Sequence, residues 1–414
     1  MSTSWIEKIS EFIFWTATSI GLTIPLFFIC ENLFYKFRDN SMAFTLDASY
    51  LDFNTSFPSI SLCQVFNGEK NWDLSEKYFG DERDKRIDDF LTEISFFTGA
   101  CYTCELCDVE VQCPKNFSEI LFKFRASCEN FLKNCSWNDI EFDCCEGFRP
   151  LPTETGICFS INSALTTPKY GRELFCNRET GPGKLKMMVT EDIQLFIHHP
   201  NDVPFAYGER DLKDTILWGS TKEIVIKVTE IINDDTVVTI PINQRRCRFS
   251  WEGDGLESVF DLYSFSTCQT DCYNKAQVNF CNCTHHLMPR NPRLGIPECD
   301  FKGLICLTEN FMKISDIRKG CPDCISSCEE YEYRIIFNSN EEMGNEEGTD
   351  ITISMIELPN YRYFRRTVKT TVEFIMSVGG AVGLFFGFSF LSFFIIIHEV
   401  FYYFKDKFKK SKIP

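Results

Sequence analysis

Two uncharged apolar runs stand out from an otherwise mixed polar and apolar chain of 414 residues. Phe12–Ile29 covers 18 residues and Phe374–Ile397 covers 24. A helix needs roughly 20 apolar residues to cross a hydrocarbon core of roughly 30 Å, so both runs predict membrane-spanning helices. Pro25 places a kink in the first. The second is rich in small and polar residues: Ser377, Gly379, Gly380, Ala381, Gly383, Gly387, Ser389 and Ser392. Gly379, Gly383 and Gly387 recur at i, i+4, i+8. That spacing lets backbones approach closely, either in helix packing or around a narrow pore. Glycine also tolerates a helix break at Gly387-Phe388-Ser389, where freed carbonyls can turn toward an ion. One chain with two crossings cannot enclose a pore, so a channel requires an oligomer.

The polar region between the runs predicts a mixed α and β domain. Asp81–Phe97 and Phe117–Phe131 carry helix-like apolar spacing, with Ser118 positioned to cap the second. Glu223–Ile232 alternates, with Ile224, Ile226 and Val228 on one face. Asn233-Asp234-Asp235 predicts a turn and Thr236–Pro241 a returning strand. Thr267–Phe280 predicts a helix with Cys268 and Cys272 one turn apart. Glu341, Glu342, Glu346 and Glu347, with Gly344 and Gly348, predict an exposed loop.

Cysteine usage sets the compartment. Of 22 cysteines, Cys30 lies in the first membrane segment, directly after the uncharged run, and the other 21 fall between Cys63 and Cys328. Such density in a long polar region predicts a disulfide framework outside the cytoplasm. The odd count leaves at least one thiol unpaired or paired to another chain, and spacing does not fix connectivity. Sequons at Asn54, Asn116, Asn134 and Asn282 are glycosylation candidates that agree with an extracellular loop. Cys135 and Cys283 occupy the middle of the last two. No small-x-small cleavage site follows the first run, so it reads as a retained anchor. The basic tail (Lys405, Lys407, Lys409, Lys410 and Lys412) places the C-terminus in the cytoplasm, and with two crossings the N-terminus too. The expected organisation is a cytoplasmic N-terminus 1–11, a first helix 12–35, a cysteine-rich extracellular domain 36–371, a second helix 372–403 and a basic tail 404–414. A net charge of −17 excludes a nucleic-acid role, and the lipid bilayer is the implied surroundings.

Candidate chemistry outside the second run is sparse. Cys281-Asn282-Cys283-Thr284-His285-His286 has zinc-ligand residue types, but disulfides are the expectation in this setting, so no metal and no cofactor is expected. No G-x-S-x-G, H-E-x-x-H or P-loop pattern is present, and none of His198, His199, His285, His286 and His398 sits in a catalytic pattern. The chain does not read as an enzyme. The acidic pairs Asp234-Asp235, Glu329-Glu330 and Glu341-Glu342 read as solvated surface, although close carboxylates raise one another's pKa. His398 and Glu399 mark the cytoplasmic end of the second run.

The segment Gly379-Gly380-Ala381-Val382-Gly383-Leu384-Phe385-Phe386-Gly387-Phe388-Ser389-Phe390-Leu391-Ser392 resembles the second transmembrane segment of the degenerin/epithelial sodium channel family, and most of all its insect pickpocket branch. Phe57–Cys63 resembles the family's first extracellular strand, and Gly156–Asn162 its Gly-x-Cys-x-x-x-Asn element. Gln244–Phe249 and the cysteines from Cys268 to Cys328 resemble its cysteine-rich block. The resemblance implies a trimeric, sodium-preferring, amiloride-sensitive cation channel of the plasma membrane, homomeric or with related subunits, gated by ligand, acid or force. It implies a selectivity constriction at Gly387, Phe388 and Ser389, a gate near Met376, Ser377 and Gly380, helix packing at Gly379 and Gly383, and a cytoplasmic pore mouth at Ile395, His398 and Glu399. Bridged cysteines are expected among Cys63, Cys158, Cys176, Cys247, Cys268, Cys272, Cys281, Cys283, Cys299, Cys306, Cys321, Cys324 and Cys328. Two departures stand out. Ile395 occupies a position where family members usually carry an acid, and the family's His-Gly motif has no counterpart in the 11 residues before Phe12. These leave open a truncated chain, a subunit that conducts only with partners, or a non-conducting two-pass glycoprotein. An ATP-gated two-pass channel shares the topology but not the cysteine count or Gly387-Phe388-Ser389.

Overall fold

The computed structural model describes residues 3–38, 42–65, 68–107, 113, 117–166, 172–206, 208, 210–253, 258–319, 321–342, 347–387 and 389–410. The chain folds into two units. One comprises residues 46–232 and 246–364; the other comprises residues 1–45, 233–245 and 365–414.

The first, disulfide-rich unit is built on two sheets. Ser220–Asn233 is the long strand of the larger one. Ile224 and Ile226 are fully buried and Val228 nearly so, as the period-2 alternation requires. It pairs antiparallel with Glu330–Glu342 and parallel with Thr349–Met355. Lys184–Val189 and Leu132–Trp137 continue the sheet antiparallel. The second sheet runs in the order Lys213–Ile216, Ile193–His198, Ser59–Gln64, Gly156–Ile161 and Arg149–Thr153. Its core side chains, among them Phe57, Ile60, Leu62, Ile161 and Leu195, merge with those of the first sheet. A separate helical cluster packs Phe90, Leu91 and Ile94 of Lys85–Ser95 with Tyr273 of Phe265–Cys281 and Leu304 and Leu307 of Phe301–Glu309.

Ten disulfides tie this unit together. Cys63–Cys158 and Cys247–Cys328 span 95 and 81 residues. Cys268–Cys324, Cys272–Cys321, Cys281–Cys306 and Cys283–Cys299 clamp the helix Phe265–Cys281 and its C-terminal turn. Cys101–Cys104, Cys107–Cys113, Cys128–Cys145 and Cys135–Cys144 close short loops. Cys176, expected among the bridged residues, is instead a buried thiol. Every other cysteine of the unit already has its partner. Its sulfur lies against the space beside Gly183 that Trp137 also borders, and burial pushes its pKa up to about 12.

Local predictions fail in three places. Thr236–Pro241 does not form a returning strand. Asp234 accepts from the Thr236 N–H at 2.8 Å and starts a short helix, Asp235–Val238, so local capping overrides a β-branched run. The partner strand comes from Glu330–Glu342 instead. Phe117–Phe131 is two helices, Phe117–Phe124 and Cys128–Phe131, and Ser118 lies inside the first rather than capping it. Glu341 and Glu342 end a paired strand rather than lying in a loop; Gly344 and Glu346 lie outside the described residues.

The second unit carries the long helix Thr3–Arg38, about 54 Å at 1.5 Å per residue. Its segment Glu7–Arg38 is long and apolar enough to cross a membrane. The helix packs against Thr371–Phe386, where Phe37 stacks on Phe374 at 4.6 Å and Phe34 lies 6.4 Å from the same ring. Asp234 and Thr236 bond to the strand Arg362–Thr367, which precedes Thr371–Phe386. The Asp234 N–H donates to the Arg365 carbonyl at 2.9 Å, and Thr367 Oγ1 donates to Thr236 Oγ1 at 3.2 Å.

Candidate functional site

The segment expected as one helix, 372–403, is two helices, Thr371–Phe386 and Phe390–Lys410, and the residues themselves dictate the break. Thr370 opens the first with a capping box. Its Oγ1 accepts from the Glu373 N–H at 3.2 Å, and Glu373 Oε2 accepts from the Thr370 N–H at 2.9 Å. Gly387 closes it in the left-handed conformation, φ 63°, its N–H donating to the Gly383 carbonyl at 2.8 Å. A glycine at this position carries no Cβ penalty. Ser389 then starts the second helix, its Oγ accepting from the Ser392 N–H at 3.1 Å. The Ser392 hydroxyl reaches back to the Ser389 hydroxyl at 2.9 Å.

Gly387 and Ser389 therefore occupy a short non-helical joint between two capped helices; Phe388 lies outside the described residues. Backbone polar groups at such a joint lack the full set of intrahelical partners. In a bilayer that is tolerated only where the backbone is buried in protein or lines a watery cavity.

Upstream, Ser377 Oγ donates to the Glu373 carbonyl at 2.7 Å and receives Lys369 Nζ at 3.0 Å. Met376, one position earlier, is 62% exposed. A Cβ added at Gly379, Gly380 or Gly387 would meet nothing within 4 Å. Among the described residues, then, a side chain at these three positions would have open space. Downstream, Ile395, His398 and Glu399 are all exposed, and His398 stacks on Tyr402 at 6.3 Å.

Elsewhere the sequence-flagged groups are structural. Cys281 and Cys283 are in disulfides, and no group of three or more metal-ligating residue types gathers among the described residues. His286 is buried, its Nε2 donating to the Ile94 carbonyl at 2.7 Å, and burial lowers its pKa to about 4. His198 is held between the His199 carbonyl at Nδ1 (2.9 Å) and Ser61 Oγ at Nε2 (2.7 Å), and burial lowers it likewise to about 4. Asn54, Asn134 and Asn282 are exposed; Asn116 lies outside the described residues.

Sequence reasoning missed two buried ionisable groups at opposite ends of the strand Ser220–Asn233. Lys222 is 5% exposed and pairs with Asp214 at 2.5 Å. Glu230 is 1% exposed, and burial raises its pKa. Both sit at inward positions of the same alternation that Ile224 and Ile226 follow, and that register is the one signal that identifies them.

Residues 3–403 match the family model described as amiloride-sensitive sodium channel. The chain is 23% identical to pickpocket protein 28 of Drosophila melanogaster, over 95% of its own length and 74% of that protein's. It is 22% identical to the sodium channel protein Nach of Drosophila ananassae, over 98% and 84%. With the Nach protein of Drosophila virilis the identity is 25%, over 68% and 77%. With nearly the whole chain inside the family model, the protein belongs to the amiloride-sensitive sodium channel family, a family of ion channels rather than enzymes.

Proposed function

We propose that this chain is a subunit of a trimeric, sodium-preferring, amiloride-sensitive cation channel of the plasma membrane. Both termini are cytoplasmic and the disulfide-rich unit is extracellular. In this reading Thr371–Phe386 and Phe390–Lys410 together make the second crossing, and the Gly387–Ser389 joint of each subunit forms the selectivity constriction. The carrying observation is the open space at Gly379, Gly380 and Gly387, where an added side chain would meet nothing within 4 Å among the described residues. Partner copies around an axis would fill that space and bring the joints together. Met376, Ser377 and Gly380 then lie at the gate, with Gly379 and Gly383 at the helix contacts. Ile395, His398 and Glu399 line the cytoplasmic mouth. Glycans are assigned to Asn54, Asn116, Asn134 and Asn282, and a mass shift on glycosidase treatment that each Asn→Gln change reduces would support them.

The test is whole-cell current under sodium replacement, with and without amiloride. The reading expects an inward, sodium-carried, amiloride-blocked current, with permeability ratios shifted by Ser389→Cys. Unchanged ratios in that variant would remove Ser389 from the constriction. Ile395 favours a second reading, a non-conducting glycoprotein that binds a ligand or partner subunit. Surface expression without current, alone or with related subunits and with a bulky substitution at Met376, would support it.

A further inference from the structure

A cavity of about 500 Å³ opens in the disulfide-rich unit where the strand Ile193–His198, the strand Glu330–Glu342 and the start of the helix Phe265–Cys281 converge. Its walls are aromatic. Phe205 and Phe265 meet edge to face at 6.4 Å, and Tyr331 lies edge to face on His199 at 4.9 Å. Tyr333 lines the same space and is 7% exposed, yet its hydroxyl has no hydrogen-bond partner among the described residues. A buried phenol left in that state is costly unless something completes it.

The charge in the cavity is acidic. Asp202 is half-buried at its wall and uses Oδ1 to accept from Ser266 Oγ at 2.7 Å, with no ion pair among the described residues. Glu330 and Glu332 also line the space, Glu332 paired to Arg334 at 2.9 Å. Against them stands Lys213, whose ammonium is drawn to the Ala206 carbonyl at 2.9 Å. Pockets of this size with apolar walls and few polar groups are the usual form of small-molecule sites. Aromatic faces around an unpaired carboxylate select an organic cation, through cation–π attraction and a charge-assisted hydrogen bond.

We propose that this cavity binds a small organic cation with an aromatic or apolar body, its ammonium or amidinium on Asp202, its body between Phe205, Phe265 and Tyr331, and Tyr333 completing its hydrogen bonding to it. Any effect of this ligand on current rests on the channel reading above; binding itself does not.

The experiment is isothermal titration calorimetry on the full chain in detergent, with tryptamine as the cationic probe and N-acetyltryptamine as its neutral counterpart. Saturable binding of tryptamine, at least tenfold tighter than N-acetyltryptamine, is expected. Asp202→Asn should weaken tryptamine at least tenfold and leave N-acetyltryptamine unchanged. Phe205→Ala, at a half-exposed wall residue, should weaken both ligands several-fold and provides a second reading if the Asp202 variant does not fold. Ser389→Ala should leave tryptamine binding unchanged, whereas a loss there would place the probe in the pore and overturn the assignment. No saturable binding of tryptamine, or equal binding of the two probes, would overturn it as well.

Discussion

The two units of this protein are finished in different ways. The disulfide-rich unit is closed on itself. It has ten bridges, and a side chain added at Gly183 would run into Trp137 at 2.5 Å and Cys176 at 2.7 Å. In the helical unit a side chain added at Gly379 or Gly380 would meet nothing, and Met376 and Leu384 stand exposed. Glycine serves opposite ends in the two places. At Gly183, φ 82°, it relieves a crowded interior; along Thr371–Phe386 it leaves open space at Gly379 and Gly380. One unit specifies its own structure, while in the proposed reading the other specifies a meeting surface.

Substitutions can break this contrast, and the largest effect is covalent. Cys63→Ser opens a bridge whose ends are 95 residues apart and should cost about 2–5 kcal/mol. Thermal unfolding of the purified chain and delivery to the cell surface would both fall. Cys30→Ser, in the helical unit, should change neither; equal losses in the two variants would erase the distinction.

Acid should act on the closed unit next. His198 and His286 are both lowered by burial to about 4, from an ordinary 6.5. The unfolded chain therefore binds more protons between these limits. Stability is fully present above pH 6.5 and falls as pH drops toward 4, on the order of 3 kcal/mol for each histidine. Glu230, raised by burial, titrates with the opposite sign. The contribution of His286 is therefore read as the difference in pH slope between the parent chain and His286→Gln. Identical slopes would contradict its burial in the neutral form.

Gly183→Ala should destabilise by about 2–3 kcal/mol, from left-handed strain plus overpacking. Gly380→Ala should leave the same unfolding curve within about 0.5 kcal/mol and change the current instead. Opposite results would reverse the roles assigned to the two glycines. Smallest is Ser389→Ala, which removes a helix start and should cost about 1 kcal/mol or less, visible as faster amide exchange in the first turn of Phe390–Lys410.

Legibility in the sequence followed the range of the forces involved. The two apolar runs, the alternation at Ile224, Ile226 and Val228, and the helix bearing Cys268 and Cys272 are set by neighbours within a few residues, and all could be read directly. Thr236–Pro241 misled because β-branched residues favour strands, while Asp234 just upstream offers the backbone a helix cap. Bridge partners 95 and 81 residues apart leave no local trace, which is why Cys176 could not be told from its bridged neighbours. The cavity at Asp202 draws its walls from segments near residues 200, 265 and 331, so only the fold assembles it. In the second apolar run, Gly387 marked where a break is tolerated, but one helix was expected over 372–403, and the break with its Ser389–Ser392 capping emerged only from geometry.

The central claim is that the uncovered glycine face becomes a conducting path only when chains share it. Parent chain and Gly387→Arg should be expressed one to one in the same cells, at a fixed total amount of chain, and the sodium current compared with that of the same total of parent chain alone. In the proposed trimer one blocked joint stops the whole path, so random mixing predicts a residual current of about one eighth. A residual near one half, or no current from the parent chain in any subunit combination, would contradict the account.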